Sequence, residues 1–179
     1  MRGCMQFRSQ NVLEHGDAVL AKYRELRANA REGRFPAGWR QPKWWTPELA
    51  KRLVELQPGD EVMSNYLRYH DCGKPICRSQ DETGRQHFPN HAEVSAKLWQ
   101  GLGGHPDEAW LMSNDMLLHI GSAADCDVLK GHRLAPALIF ASLAEVHSNA
   151  EMFGGMDTDS FKAKAKQLER RASQLVKEA

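Results

Sequence analysis

The sequence predicts an all-α fold, and two observations support this prediction. Apolar residues recur every three to four positions along most of the 179-residue chain, whereas the alternation typical of half-buried strands is hard to find. Proline and glycine divide the periodic stretches into lengths typical of globular helices. Hydrophobic residues make up 41% and charged residues 26%, an ordinary globular balance, so we expect a single domain over residues 1–179.

The first half of the chain is expected to hold three helices. The first covers about residues 11–30 and has one apolar face. A loop rich in glycine and proline follows, and we expect its tryptophans to pack in the core rather than to stack on a base; they are Trp39, Trp44 and Trp45. Thr46 and Pro47 predict the start of a second helix. A third helix runs into His70 and is expected to end at Gly73 and Pro75.

The second half of the chain begins with a polar segment, residues 78–88, which is expected to be an exposed loop. Asn90 and Glu93 resemble a capping box that opens the next helix. Further helices are predicted from Pro106 to Ile120 and through the apolar stretch 134–153. A charged amphipathic helix closes the chain at about residues 157–177, and a homo-oligomer through this helix is left open.

The charge and the cysteines limit the expected location and partners. The formal net charge is +1, which offers no bulk reason for strong binding to nucleic acid. One local basic cluster is interpreted as a solvated face, with a phosphate-binding role as the alternative: Arg24, Arg27, Arg31, Arg34, Arg40 and Lys43. Four cysteines without a CxxC pair, no apolar run long enough for a bilayer and no apolar signal segment predict a cytoplasmic protein without a membrane partner.

The most informative string is Tyr-His-Asp-Cys-Gly-Lys-Pro, at positions 69–75. Near a helix end, His70 and Asp71 can offer an imidazole nitrogen and a carboxylate oxygen to one cation. Gly73 permits a turn that a side chain would obstruct. Lys74 can then face an anionic group held on the metal. The alternative is a satisfied core histidine beside an ordinary aspartate at a helix end.

Other potential ligands decide between these two interpretations. His15, His91 and His119 lie on or beside the predicted inward faces of three helices. Glu145 lies within the most apolar helix, where a buried carboxylate needs a cation or strong hydrogen bonds. Metal-ligand residue types that face inward on five helices together predict a metal site.

The order of these residues resembles the HD superfamily of metal-dependent phosphohydrolases. HDCGKP followed by HFPNHAEVSAKLW is most similar to the HD domains attached to CCA-adding tRNA nucleotidyltransferases, and the pattern spans about residues 11–150. The resemblance implies a compact HD-domain helical bundle, with the ligands in a core of about residues 11–153. It also implies that the main metal is held by His15, His70, Asp71 and Glu145, and that His91 and His119 serve a second metal.

The family usually has aspartate as its last ligand, whereas this sequence has Glu145. Asp115 and Asp125 are the alternatives if Glu145 is not the ligand. The expected cofactor is one or two divalent ions, with Mn, Ni, Co, Mg, Zn and Fe all open.

The expected activity is hydrolysis of a phosphomonoester or phosphodiester, on a nucleotide or an RNA end, by a metal-activated water. Asp71 would bridge two metals, and Lys74 would stabilise charge on the phosphate. Arg78 and Arg85, in the following loop, are expected to contact the substrate. Two alternatives stay open: an HD-type di-iron oxygenase and a non-catalytic binding module.

Overall fold

The computed structural model describes residues 1–7 and 10–177. The elements in chain order are β1 (Met5–Phe7), β2 (Gln10–Asn11), α1 (Val12–Arg31), α2 (Pro47–Glu55), α3 (Asp60–Tyr69), α4 (Lys74–Cys77), β3 (Ser79–Gln80), β4 (Gln86–His87), α5 (His91–Gly101), α6 (Pro106–Asn114), α7 (Leu117–Ile120), α8 (Ala123–Asp127), α9 (Ala135–Ser148), a 3₁₀ helix (Ala150–Phe153) and α10 (Asp159–Leu175). The all-α prediction is confirmed, because the strands form only two short antiparallel pairs, β1–β2 and β3–β4, within this part of the chain.

The chain divides into two units. Unit 1 comprises Met1–Ala18 and Gly59–Asp115, and unit 2 comprises Val19–Pro58 and Met116–Ala179. The expectation of a single domain over residues 1–179 stays a prediction.

Several helix boundaries agree with the sequence pattern. Thr46 caps α2 as predicted, since its Oγ accepts the Leu49 N–H at 3.2 Å and Pro47 follows in the first turn. The C-terminal amphipathic helix is also confirmed as α10. It buries one apolar stripe, which consists of Phe161, Leu168, Ala172 and Leu175. The hairpins were not predicted, because strands of two or three residues are too short to show alternation.

Three predicted boundaries are wrong, each for a local reason. The third helix runs to His70 as predicted but ends there, before Gly73 and Pro75; these two residues instead begin α4, where proline is tolerated in the first turn because no N–H is needed there. Asn90 makes no capping box, since its φ is +53° and its side chain bonds no backbone N–H of α5. The helix predicted from residue 106 to residue 120 ends at Asn114, whose amide donates to the Trp110 carbonyl at 2.8 Å and competes with the helical hydrogen bond.

Glu108 joins three helices of unit 1. One carboxylate oxygen accepts the Trp99 indole N–H of α5 at 2.6 Å, and the other accepts from the Asn65 amide of α3 at 2.9 Å. The Trp99 ring also stacks on Tyr69, with 5.2 Å between ring centroids. Because Glu108 is only 3% exposed, these hydrogen bonds compensate for the burial of its charge and fix α3 against α5 and α6.

In unit 2 the tryptophan-rich loop packs inward. Trp45 is buried, with its ring 4.8 Å from Phe35 and 5.8 Å from Phe140. Trp39 stacks on the imidazole of His147 at 4.3 Å. The core-packing interpretation therefore holds for Trp45.

Both nitrogens of His147 are used. The His147 Nδ1–H donates to the Leu143 carbonyl at 2.7 Å, and Nε2 accepts the Arg40 backbone N–H at 3.1 Å. Burial lowers the pKa of His147 from 6.5 to about 4, although the hydrogen bond to Leu143 opposes the shift. His147 is therefore neutral at pH 7 and holds the tryptophan-rich loop on α9.

This buried histidine should make folding stability depend on pH. Below pH 6.5 the unfolded chain protonates His147 while the folded chain does not, so its stabilising contribution is complete above pH 6.5 and is lost as the pH falls towards 4. Between pH 7.5 and pH 5 we expect this residue to lower the free energy of unfolding by about 2 kcal/mol. In His147→Gln, urea unfolding at the two pH values should show a correspondingly smaller decrease; an unchanged decrease would contradict the assignment.

Among the described residues, no helix combines the length and apolar character that crossing a bilayer requires.

Candidate metal centre

The candidate centre begins at the end of α3, where His70 and Asp71 are each only 2% exposed. Gly73 lets this turn lie directly against α5. A Cβ at that position would be 2.6 Å from the Ser95 nitrogen, and the Gly73 N–H donates to Ser95 Oγ at 2.9 Å. The glycine and the buried serine together fix the path of the chain just after the two potential ligands.

The carboxylate of Asp71 lies among three imidazoles of unit 1. His70 Nε2 is 3.3 Å and His15 Nε2 is 3.7 Å from Asp71 Oδ2, while His91 Nε2 is 3.4 Å from Oδ1. His70 is the C-cap residue of α3, and His15 and His91 belong to α1 and α5, so three helices converge on one carboxylate. The two carboxylate oxygens therefore face different histidines.

Backbone hydrogen bonds orient two of these rings. His70 Nδ1 lies 2.8 Å from the Leu67 carbonyl, and His91 Nδ1 lies 2.9 Å from the Phe88 carbonyl. A carbonyl can only accept, so each Nδ1 donates its hydrogen to the backbone and each Nε2 is the nitrogen that faces Asp71. A hydrogen bond from the second ring nitrogen is the usual support for a ligating histidine, so both rings are oriented to offer Nε2 to a metal.

Close approach of α1 and α3 places His15 beside His70. Gly16 makes this possible, because a Cβ there would lie 2.2 Å from the Arg68 carbonyl oxygen. The two imidazole rings are 5.3 Å apart at their centroids, and ligand nitrogens of the two residues lie within 4.8 Å of each other. His15 is fully buried. An ion pair between Arg68 and Asp17, at 2.9 Å, closes the outer side of this contact.

Lys74 provides a further positive charge at the centre. Its Nζ lies 2.6 Å from Asp71 Oδ2 and donates to Gln6 Oε1 at 2.7 Å. Burial alone would raise the pKa of Asp71, but the charges of His70 and Lys74 hold that pKa well below its ordinary value. Asp71 is therefore a carboxylate at neutral pH, as a metal ligand must be.

The other two predicted ligands lie in unit 2 and contact each other. His119 Nε2 of α7 is 3.1 Å from Glu145 Oε2 of α9, and both side chains are about one-sixth exposed. Arg171 of α10 holds α7 in place, since its guanidinium donates to the Leu118 and His119 carbonyls at 3.2 and 2.7 Å. The structure thus pairs His119 with Glu145, and their membership of the same centre as Asp71 stays a prediction.

The two alternative aspartates already have other hydrogen-bonding roles. Buried Asp115 accepts a short hydrogen bond from the Tyr66 hydroxyl. Exposed Asp125 belongs to the capping box of α8: it accepts the Ser122 N–H at 2.8 Å, while Ser122 Oγ accepts the Asp125 N–H at 3.2 Å. The hydrogen bonds from Ser122 lower the pKa of Asp125. These hydrogen bonds account for the positions of both carboxylates without a metal ion.

The predicted substrate-binding arginines lie on or beside the β3–β4 hairpin of unit 1. Arg78 precedes β3 and Arg85 precedes β4, and both are exposed. Asp81 closes the hairpin, because its carboxylate accepts the Arg85 N–H at 3.0 Å. The segment that was expected to be a loop is therefore an exposed hairpin, and its contact with substrate stays a prediction.

The sequence interpretation missed two polar residues of the centre. Gln6, in β1, contacts Lys74 across 68 positions of the chain, and no local pattern marks it. Ser95 accepts the Gly73 N–H, although in the sequence it is only a small residue near His91. Long-range hydrogen bonds of this kind leave no periodic signal in the sequence.

No protein-family model matches the chain, and searches of curated proteins and of solved structures return no match. The resemblance to the HD superfamily stays a prediction that rests on the motif residues.

Proposed function

We propose that this chain is a metal-dependent phosphohydrolase of the HD type, which cleaves a phosphomonoester or phosphodiester of a nucleotide or an RNA end. The observation that supports this most is the convergence of His15, His70 and His91 on the Asp71 carboxylate, next to Lys74. A buried carboxylate among three imidazoles, two of them oriented by backbone carbonyls, is a donor set that suits a divalent transition metal.

The residues divide into ligands and charge-stabilising groups. The imidazole Nε2 atoms and the Asp71 oxygens would hold the cation, and a carboxylate approached from both sides suits a bridge between two ions. A bound divalent ion would lower the pKa of a water and neutralise charge on the phosphoryl oxygens. The Lys74 ammonium, held by Gln6, would orient the phosphate and stabilise the negative charge that develops on it.

The roles of four residues in this proposal are supported by the sequence alone. Glu145 and His119 are further ligands, and Arg78 and Arg85 contact the phosphate. A cytoplasmic location, a nucleotide or RNA-end substrate and a homo-oligomer through α10 also remain parts of the proposal.

The test combines metal analysis with hydrolysis of bis-p-nitrophenyl phosphate across added Mn²⁺, Ni²⁺, Co²⁺, Mg²⁺ and Zn²⁺. We expect one or two bound ions per chain and metal-stimulated turnover. His70→Ala should lose about a hundredfold or more in metal affinity, because a ligand should cost at least as much as a supporting residue. The matched control is His105→Asn, which removes an exposed imidazole and keeps an N-cap residue for α6; it should retain metal and activity.

Two results would contradict the hydrolase. Stoichiometric iron with visible absorbance and no phosphate-ester hydrolysis would favour the oxygenase alternative. Neither bound metal nor turnover, in a folded protein, would favour a binding module. Equal losses in His70→Ala and His105→Asn would remove the reason for placing the metal at this centre.

A further inference from the structure

A concave basic surface lies in unit 2, between the tryptophan-rich loop and α10. Its cavity has a volume of about 630 Å³. We call it the basic cleft and define it by five of its lining residues: Arg40, Lys43, Trp44, Lys166 and Arg170. Arg40 and Lys43 belong to the basic cluster noted in the sequence. Lys166 and Arg170 belong to α10, more than 120 positions later in the chain.

The basic cleft has a clear excess of positive charge. Its four cationic side chains are exposed, and Glu169 is the one carboxylate among its described lining residues. Glu169 holds the loop to α10: its Oε1 accepts the Lys43 N–H at 2.9 Å, and its carbonyl accepts the Trp44 indole N–H at 3.2 Å. The carboxylate thus anchors the loop and only partly offsets the charge of the cleft.

Fixed contacts give the basic cleft a defined shape. The Arg40 N–H donates to buried His147, so the loop is anchored at Arg40, Lys43 and Trp44. Lys166 and Arg170 are four residues apart on α10, a spacing of roughly 6 Å that lets each contact its own phosphate. The backbone from which Arg40 and Lys43 project is therefore fixed, so only side chains have to be ordered on binding, which favours an extended polyanion.

Trp44 and the composition of the surface decide the kind of polyanion. Trp44 is half-buried and lines a cavity rimmed by cations, an arrangement that suits stacking of an unpaired base. Bases in a duplex are stacked on one another and cannot reach it. The exposed large apolar side chains of the described chain lie outside the cleft lining, which disfavours insertion into a membrane.

We infer that the basic cleft binds single-stranded nucleic acid, with its cations on successive phosphates and Trp44 against a base. This inference does not rest on the proposed hydrolysis, because binding can be measured with EDTA present. A negative result for nucleic-acid binding would therefore not contradict the proposed hydrolysis, and a negative result for hydrolysis would not contradict the binding.

The first test is fluorescence anisotropy with labelled oligouridylate and oligothymidylate of about 12 nucleotides, in EDTA, over a range of salt concentrations. Contacts to three or four phosphates predict a slope of log K against log salt of about −2 to −3. Lys166→Glu with Arg170→Glu should weaken binding at least tenfold. The matched control pair, Lys97→Glu with Lys164→Glu, makes the same change in net charge at exposed positions outside the cleft and should change binding less than twofold.

The second test separates stacking from folding. Trp44→Phe and Trp44→Leu both lose the hydrogen bond to Glu169, but only phenylalanine keeps an aromatic face. We expect Trp44→Phe to bind nearly as well as the wild type and Trp44→Leu to bind about tenfold more weakly. Thermal unfolding of each variant checks that it is folded.

Binding of either oligonucleotide with these effects supports the inference. Three results would overturn it: no measurable binding at low salt, equal losses in the two charge-reversal pairs, or tighter binding to a duplex or to anionic phospholipid vesicles than to the single strands.

Discussion

Replacement of Asp71 by asparagine is expected to abolish metal binding and to lower metal-dependent hydrolysis by at least about a thousandfold. The amide would keep the shape of the side chain but remove the negative charge that faces three imidazoles and Lys74. Several kcal/mol of transition-state stabilisation from a metal correspond to a loss of this size. Elemental analysis and turnover of bis-p-nitrophenyl phosphate measure the two effects. Full metal content and activity in this variant would refute the proposed centre.

A loss of folding must be distinguished from a loss of the centre. Asp71→Asn leaves the ammonium of Lys74, which is only 8% exposed, without its carboxylate, and breaking a buried ion pair costs about 3–5 kcal/mol. The double variant Asp71→Asn with Lys74→Gln removes both charges and should recover most of that stability in urea unfolding. It should still bind no metal, because the ligand is absent.

Gly16→Ala is expected to destabilise unit 1 by about 3 kcal/mol and to weaken metal binding. A Cβ at Gly16 would lie 2.2 Å from the Arg68 carbonyl oxygen, and backbone atoms cannot rotate away as a flexible side chain can. The contact could be relieved only by moving α1 from α3, which would also separate His15 from His70. Urea unfolding and metal titration measure the two effects.

The sign of this effect makes the test decisive. In an open helix interior, alanine stabilises relative to glycine by about 1 kcal/mol. Gly101, at the end of α5, has open space around it, so Gly101→Ala is the matched control and should be neutral or slightly stabilising. If Gly16→Ala also stabilised the protein, the close contact between α1 and α3 would be wrong.

Local signals predicted most of the helices but not their exact ends. Thr46 and Pro47 act within one turn, so the start of α2 could be predicted from adjacent residues. The predicted capping box at Asn90 failed because the backbone there is left-handed. The helix predicted from residue 106 to residue 120 failed because the amide of Asn114 bonds a carbonyl of its own helix. Competition between side chain and backbone is not visible in periodicity.

The sequence by itself determined the residue types of the centre, since the His70–Asp71 pair and the inward-facing histidines can be recognised from motif and helical spacing. Only the tertiary structure decided which of them meet. It brings His15, His70 and His91 to Asp71, with Gln6 on Lys74, and it pairs His119 with Glu145. The physical reason is that helical periodicity is a local property of the sequence, so it specifies only which face of a helix is buried. Contacts between residues far apart in the chain, such as Gly16 against Arg68, determine which buried faces touch.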